Sequence, residues 1–106
     1  MARVAITASA DADTASILAD LAAKAGANVA ARYDADFDAL YRRLEQFPES
    51  GSPRPALGRL VRIGVVSPYN VIHEYVEADD AVTILRIVHG RRRFTRRMLN
   101  QPATPP

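Results

Sequence analysis

Two periods of hydrophobicity divide the chain. From about Ser9 to Ala25 the positions Thr14, Ile17, Leu18, Leu21, Ala22 and Ala25 recur at helical spacing, with Asp11 and Asp13 in the first turn and Gly26 as a stop. A second helical pattern follows at once, with Val29, Tyr33, Phe37, Leu40, Tyr41 and Leu44 on one face and Asp34, Asp36, Asp38, Arg42, Arg43 and Glu45 around the other, ending before Pro48. Two helices joined by so short a turn form a hairpin. Before them, Arg3 to Thr7 alternates as a short strand. After them the period changes: Leu60 to Val66, Val71 to Glu77 and Val82 to His89 are rich in β-branched residues and are separated by the turn signals Ser67-Pro68-Tyr69-Asn70 and Ala78-Asp79-Asp80-Ala81. Connections this short require antiparallel neighbours. Residues 48–58, PESGSPRPALG, read as a loop.

The order strand, helix, helix, strand, strand, strand predicts an α+β domain in which the N-terminal strand and helix hairpin pack on one face of a curved antiparallel sheet, the other face being partly open. Residues 1–99 form this single domain and 100–106, NQPATPP, a disordered tail. On the last strand, a strict period of two sets Val82, Ile84, Arg86 and Val88 against Thr83, Leu85, Ile87 and His89. With Leu85 and Ile87 towards the helices, Arg86 lies on the open face, joined there by Arg62. Tyr33, Phe37 and Tyr41 form a core stripe. His73, Tyr75 and Glu77 share a strand face that is either solvated or functional, and Asp79-Asp80 is a turn.

Composition changes this picture in two ways. The 106 residues contain no cysteine, which removes disulfides, thiolate nucleophiles and sulfur-ligated metals, and leave only His73 and His89 to supply imidazole. Glu74 and Glu77 are not spaced as a metal site or a paired-carboxylate hydrolase; no cofactor and no metal are expected. The segment MARVAIT is too short for a signal sequence and no window reaches transmembrane length, so a cytoplasmic protein without membrane contact is expected.

Charge is the second. The net charge of +2 conceals a division: residues 1–50 carry eight acids and five bases, residues 51–106 nine bases and four acids. Thirteen of the fourteen bases are arginine, which favours forked, planar contact with carboxylate or phosphate. The charge concentrates where the last strand ends, in RIVHGRRRFTRR, with Arg91, Arg92, Arg93, Arg96 and Arg97 inside seven positions. So dense a cluster repels itself, and an anionic partner relieves it.

Four stretches in this order carry a resemblance: the hairpin ending Leu44-Glu45-Gln46-Phe47-Pro48-Glu49-Ser50-Gly51, then Leu57-Gly58-Arg59-Leu60-Val61-Arg62, then Pro68-Tyr69-Asn70-Val71-Ile72-His73-Glu74-Tyr75, and Ile84-Leu85-Arg86-Ile87-Val88-His89-Gly90-Arg91-Arg92. Across nearly its whole length the chain resembles the RelE/ParE superfamily of toxins from type II toxin–antitoxin (plasmid stabilisation) systems. The resemblance implies two possible activities. Ribosome-dependent members cleave mRNA and need a base, an acid and cations around the phosphate. ParE-like members bind and poison DNA gyrase. Here lysine occurs once, as Lys24, and Phe94 stands just past the arginine cluster, so a nuclease would have to use His89 with Arg62, Arg86 and Arg91.

His89 reads better as a partly buried imidazole at a strand end. The resemblance therefore implies a growth-arresting ParE-like toxin that binds gyrase, is held by a ParD-like antitoxin in a hetero-oligomer, and has no favoured catalytic residue. Arg62, Arg86, Arg91, Arg92, Arg93, Phe94, Arg96 and Arg97 are the candidate target- or antitoxin-binding residues. Alternatives are the ribosome-dependent endonuclease, and a non-toxic member that only forms complexes and regulates its own operon.

Overall fold

A computed structural model describes residues 1–100; residues 101–106 of the expected disordered tail lie outside the described residues. The first strand, β1 (Arg3–Ile6), leads through Thr7 into α1 (Ala8–Ala25) and α2 (Ala27–Gln46). Thr7 caps α1, its hydroxyl accepting from Ala10 N at 3.0 Å. Gly26 ends one helix and starts the next at φ 98°, a left-handed angle that only glycine adopts without penalty. A two-residue strand, β2 (Ser52–Pro53), lies inside the segment expected to be loop. Then follow β3 (Val61–Val66), β4 (Tyr69–Val76), a 3₁₀ turn (Glu77–Asp79), β5 (Ala81–His89) and a single-turn helix, α3 (Arg96–Leu99).

The strands form one sheet in the order β1-β5-β4-β3-β2. All pairings are antiparallel except the first: β1 runs parallel to β5, with Arg3 opposite Ala81 and Ile6 opposite Ile84. The helix hairpin provides the long connection that a parallel pairing needs. The sheet is therefore mixed, and its N-terminal strand joins it at an edge.

Two apolar clusters sandwich the sheet. On the helix side Phe37 and Leu44 of α2 and Ala10 of α1 meet Val66, Val71, Val82, Ile84 and Ile87, with Ile17, Leu18, Tyr33, Leu40 and Tyr41 packed around them. Of the helical stripes read from sequence, Ile17, Leu18, Tyr33, Phe37, Leu40, Tyr41 and Leu44 belong to this core, whereas Ala22 and Ala25 are exposed. On the other face Leu57, Val61, Ile72 and Val88 are buried beneath Ile63, Leu85, Phe94 and Leu99. That face, expected to be partly open, is covered by the segment before β3 and by the C-terminal segment.

The period of two on β5 is broken. Ile72 pairs with Arg86 but His73 with Ile84, so Leu85 is an extra residue and β5 is bulged there. Ile87 stays on the helix side as expected, whereas Leu85 joins the opposite cluster. Arg86, opposite Ile72 of the far cluster, lies on the side away from the helices as expected, but that side is covered and Arg86 is only 5% exposed. It does not share a face with Arg62. On β3, Val61 and Ile63 belong to the far cluster while Gly64 approaches Leu40 and Val66 joins the helix-side core, which puts Arg62 on the helix side by alternation.

Candidate functional site

The arginine surface begins where β5 ends. Gly90 N donates to Pro68 O at 2.7 Å, and a Cβ at this position would lie 2.9 Å from the same oxygen, so the chain can turn here against the β3–β4 connection only as glycine. The turn closes with Arg92 N donating to His89 O at 2.9 Å and Arg91 N to His89 Nδ1 at 3.1 Å. Arg91, Arg92 and Arg93 are exposed, as are Arg96 and Arg97 on α3. Among the described residues the ion pairs are Lys24–Asp20 and Arg86–Asp13, so none of the five clustered arginines has a carboxylate partner within the fold. Phe94 sits between them, half-buried, its ring against the far apolar cluster.

The remaining candidates are engaged elsewhere. Arg62 donates to Gly51 O at 3.1 Å, beside β2. Arg86, at the opposite end of the strand order, forks onto Asp13 of α1, with Nε 2.7 Å from Oδ2 and Nη2 3.0 Å from Oδ1. β3 and β5 are separated by β4, which sets these two strands roughly 10 Å apart. His89 is exposed rather than partly buried; its ring lies edge-on to Tyr69 at 5.7 Å. Because Nδ1 accepts from Arg91 N, the neutral imidazole carries its proton on Nε2. The structure gathers Arg91, Arg92, Arg93, Phe94, Arg96, Arg97 and His89 at one end of the sheet and leaves Arg62 and Arg86 apart from them.

A cleft adjoins this surface. Between α2 and the outer part of β3 lies a depression of about 480 Å³ lined by Ala39, Leu40, Val65 and Val66, with Asp36 and Arg43 at its rims and Ser67 at its end. Val65, 66% exposed, is an apolar side chain on this edge, where β2 pairs with β3 only at Arg62 and Ile63. The cleft runs to Ser67, one residue from the Pro68 carbonyl that holds Gly90. The groove thus ends near the turn at Gly90 from which the arginine segment departs, while Arg96 lies on the opposite face of the sheet, beside Leu57, Val61 and Leu85.

Three features escaped the sequence reading. Asp13 is not simply a helix-dipole acid: besides Arg86 it accepts from Ile87 N at 2.9 Å, supplying the edge of β5 where β1 has ended. A signal existed, since Asp13 stands three residues after Ala10 and four before Ile17, on the apolar stripe, where a carboxylate needs a partner. His73 is not solvated; it is fully buried, with Nδ1 3.2 Å from Val71 O and Nε2 3.2 Å from Ser50 O. Burial, which disfavours the imidazolium, holds its pKa below the usual histidine value, and Arg62 acts in the same direction. Asp80, in the left-handed region at φ 46°, accepts from the Tyr75 hydroxyl at 2.8 Å, and this bond to a carboxylate pushes the Tyr75 pKa up to about 12. Among the described residues no cluster of His, Asp or Glu is arranged to hold a metal ion, and no helix is long and apolar enough to cross a membrane.

A helix hairpin on an open sheet of this order is the fold of a solved structure described as "Chromosomal ParDE TA system from P. aeruginosa", which is similar over 84% of this chain and 96% of that one, with a TM-score of 0.70 and 23% identity. At that identity the likeness is one of fold. The sequence goes further: the family model for the ParE toxin of type II toxin-antitoxin system, parDE, matches residues 4–94, and the chain belongs to that toxin family. The matched span stops at Phe94, leaving Arg96 and Arg97 beyond it. A comparison with curated proteins finds no match.

Proposed function

We propose that this protein is a toxin that arrests growth by binding and poisoning DNA gyrase, and that a ParD-type antitoxin neutralises it in a hetero-oligomer. The observation that supports the reading is the cluster of exposed arginines, departing from the end of β5 near the apolar cleft, that no carboxylate among the described residues answers. Such a surface suits an amphipathic partner segment that places apolar side chains along Leu40, Val65 and Val66 and carboxylates towards Arg91 to Arg97. Helix-in-groove docking and strand addition at the β3 edge both supply that contact. The scattering of Arg62, Arg86 and His89 supports binding over chemistry, because a phosphoryl-transfer site needs its acid, base and cations converging on one atom. A cytoplasmic location follows from this role.

The test measures association of the purified toxin with its antitoxin. Contacts at a charged rim speed encounter and are screened by salt, while apolar burial governs dissociation. Association is expected to slow steeply as salt rises, with dissociation little changed, and replacing all five arginines by glutamine should flatten that dependence. Unaltered salt sensitivity in the glutamine variant would remove the cluster from the antitoxin interface. Gyrase supercoiling assays and mRNA cleavage mapping on expressing cells decide the target, since codon-phased cuts with normal supercoiling contradict the gyrase reading.

One observation favours a second reading, the ribosome-dependent endonuclease: His89 is exposed beside Arg91, in a single tautomer with its Nε2 proton available. His89→Gln should retain most toxicity if the protein acts by binding. A loss of about a hundredfold or more in a folded variant, the size expected for a general acid or base, would establish the nuclease instead.

A further inference from the structure

The five arginines are mounted on a segment attached at two points. Phe94 and Leu99 pack on the far apolar cluster, while Arg91 to Arg93 and Thr95 to Arg97 are exposed. Leu99 rests in a pocket with Leu57, Val61 and Leu85, an ordinary apolar contact. Phe94 has a second neighbour of a different kind: the Arg86 guanidinium carbon lies 5.7 Å from its ring centroid.

A free arginine side chain samples many rotamers, and its plane offers a ring no fixed surface. Here the plane is fixed, because both carboxylate oxygens of Asp13 accept from it and the side chains of the pair are only 6% and 11% exposed. A desolvated, immobile guanidinium is also the kind that gains most from an aromatic face. The chain of contact thus runs from α1 through β5 to the C-terminal segment.

We infer that Asp13 is a positioning residue: acting through the Arg86 fork and the Phe94 ring, it fixes the segment 91–99 against the sheet and so sets the direction in which the arginine cluster is presented. The bland account is that Asp13 only completes the backbone bonding of β5 through Ile87 N, with Phe94 held by apolar contact alone. Asp13→Asn separates the two. An asparagine oxygen still accepts from Ile87 N–H, but the side chain has neither the charge nor the second acceptor oxygen to orient Arg86. The consequence for partner binding rests on the function proposed above; the positioning itself does not, and its test uses the toxin alone.

Trypsin reads the segment directly, since it cuts after the clustered arginines and also after Arg32 and Arg42 within α2. When segment opening is fast, cleavage tracks the population of the open form. Asp13→Asn is expected to raise cleavage after Arg93, Arg96 and Arg97 about tenfold, the loss of one such desolvated contact, while cleavage after Arg32 and Arg42 rises only as far as global stability falls. Phe94→Leu should do the same, Phe94→Tyr should stay near wild type, and the Asp13→Asn/Phe94→Leu double variant should exceed neither single by much, because the two act on one contact. Equal rises at both sets of sites in Asp13→Asn, or an unchanged segment while Phe94→Leu frees it, would overturn the assignment. Should Asp13→Asn not fold, Arg86→Lys, which keeps the charge and loses the planar fork, is read by the same criterion. Should that fail too, folded Phe94→Leu decides by hydrogen exchange at Arg86 Nε–H: faster than wild type supports the linkage, equally slow refutes it.

Discussion

Arg86 and the arginines that follow it within a dozen residues share a chemistry and have opposite fates. Arg86 is 5% exposed and clamped by a carboxylate from another element; Arg91, Arg92, Arg93, Arg96 and Arg97 are exposed and pair with no carboxylate among the described residues. The two histidines repeat the contrast, His73 buried between two carbonyl oxygens and His89 at the surface. Residue type therefore does not separate structural from interacting groups here. What separates them is whether the fold itself provides the counter-group: an acid at Asp13 for Arg86, none among the described residues for the cluster. A charge the fold answers contributes to folding, and a charge it leaves unanswered is available to a partner.

The buried side of this comparison should be the more fragile. Arg86→Met leaves Asp13 desolvated with only Ile87 N as partner, and should cost about 3–5 kcal/mol in denaturant unfolding. Adding Asp13→Leu to it should recover part of that loss, because a matched apolar pair removes the uncompensated charge. If Arg86→Met proves as mild as a surface substitution, the distinction between the two kinds of arginine fails.

The histidines sharpen the contrast through pH. His73 has its native pKa lowered by burial, so near and below the unfolded value of about 6.5 the unfolded chain takes up a proton that the native protein refuses. Its contribution is complete above that value and is lost as pH falls through it towards the lower native pKa. Stability should decline over this window, and the decline should be shallower in a folded His73→Gln variant. The smallest effect belongs to the exposed cluster: each Arg→Gln change among Arg91 to Arg97 should alter unfolding free energy by no more than about 0.5 kcal/mol. A larger cost would mean that the cluster is held by the fold after all.

The helix hairpin, the three long strands and the core stripe of Tyr33, Phe37 and Tyr41 were legible in the sequence because each rests on a local period. The exposed cluster was legible for the same reason, being contiguous. Arg86 was rightly set on the side away from the helices but wrongly taken as open, because neither the fold-back of the C-terminal segment over that face nor its partner Asp13 on the first helix leaves a local signal. His73 was misread because its neighbours, Ser50 and the edge strand Ser52–Pro53, come from a stretch whose prolines and glycines mark it as loop. Phe94 was read only as a binding residue, and Leu99 not at all, because nothing local indicates that the C-terminal segment folds back over the sheet. In each case the missing information was a contact between residues distant in the chain.

The parallel pairing of β1 with β5 also bears on when the protein can form. Arg3 to Ile6 find their partners only at Ala81 to Ile84, and Thr7 and Asp13 find theirs at Leu85 to Ile87. These closures span most of the chain, and such long-range contacts form late because the entropy of the loop must be lost before they are gained. During synthesis the helix hairpin is made early yet has no sheet to cover, and the strand that joins both ends of the molecule is made last. The nascent chain cannot assemble its cleft and arginine surface until residues 81–97 have left the ribosome.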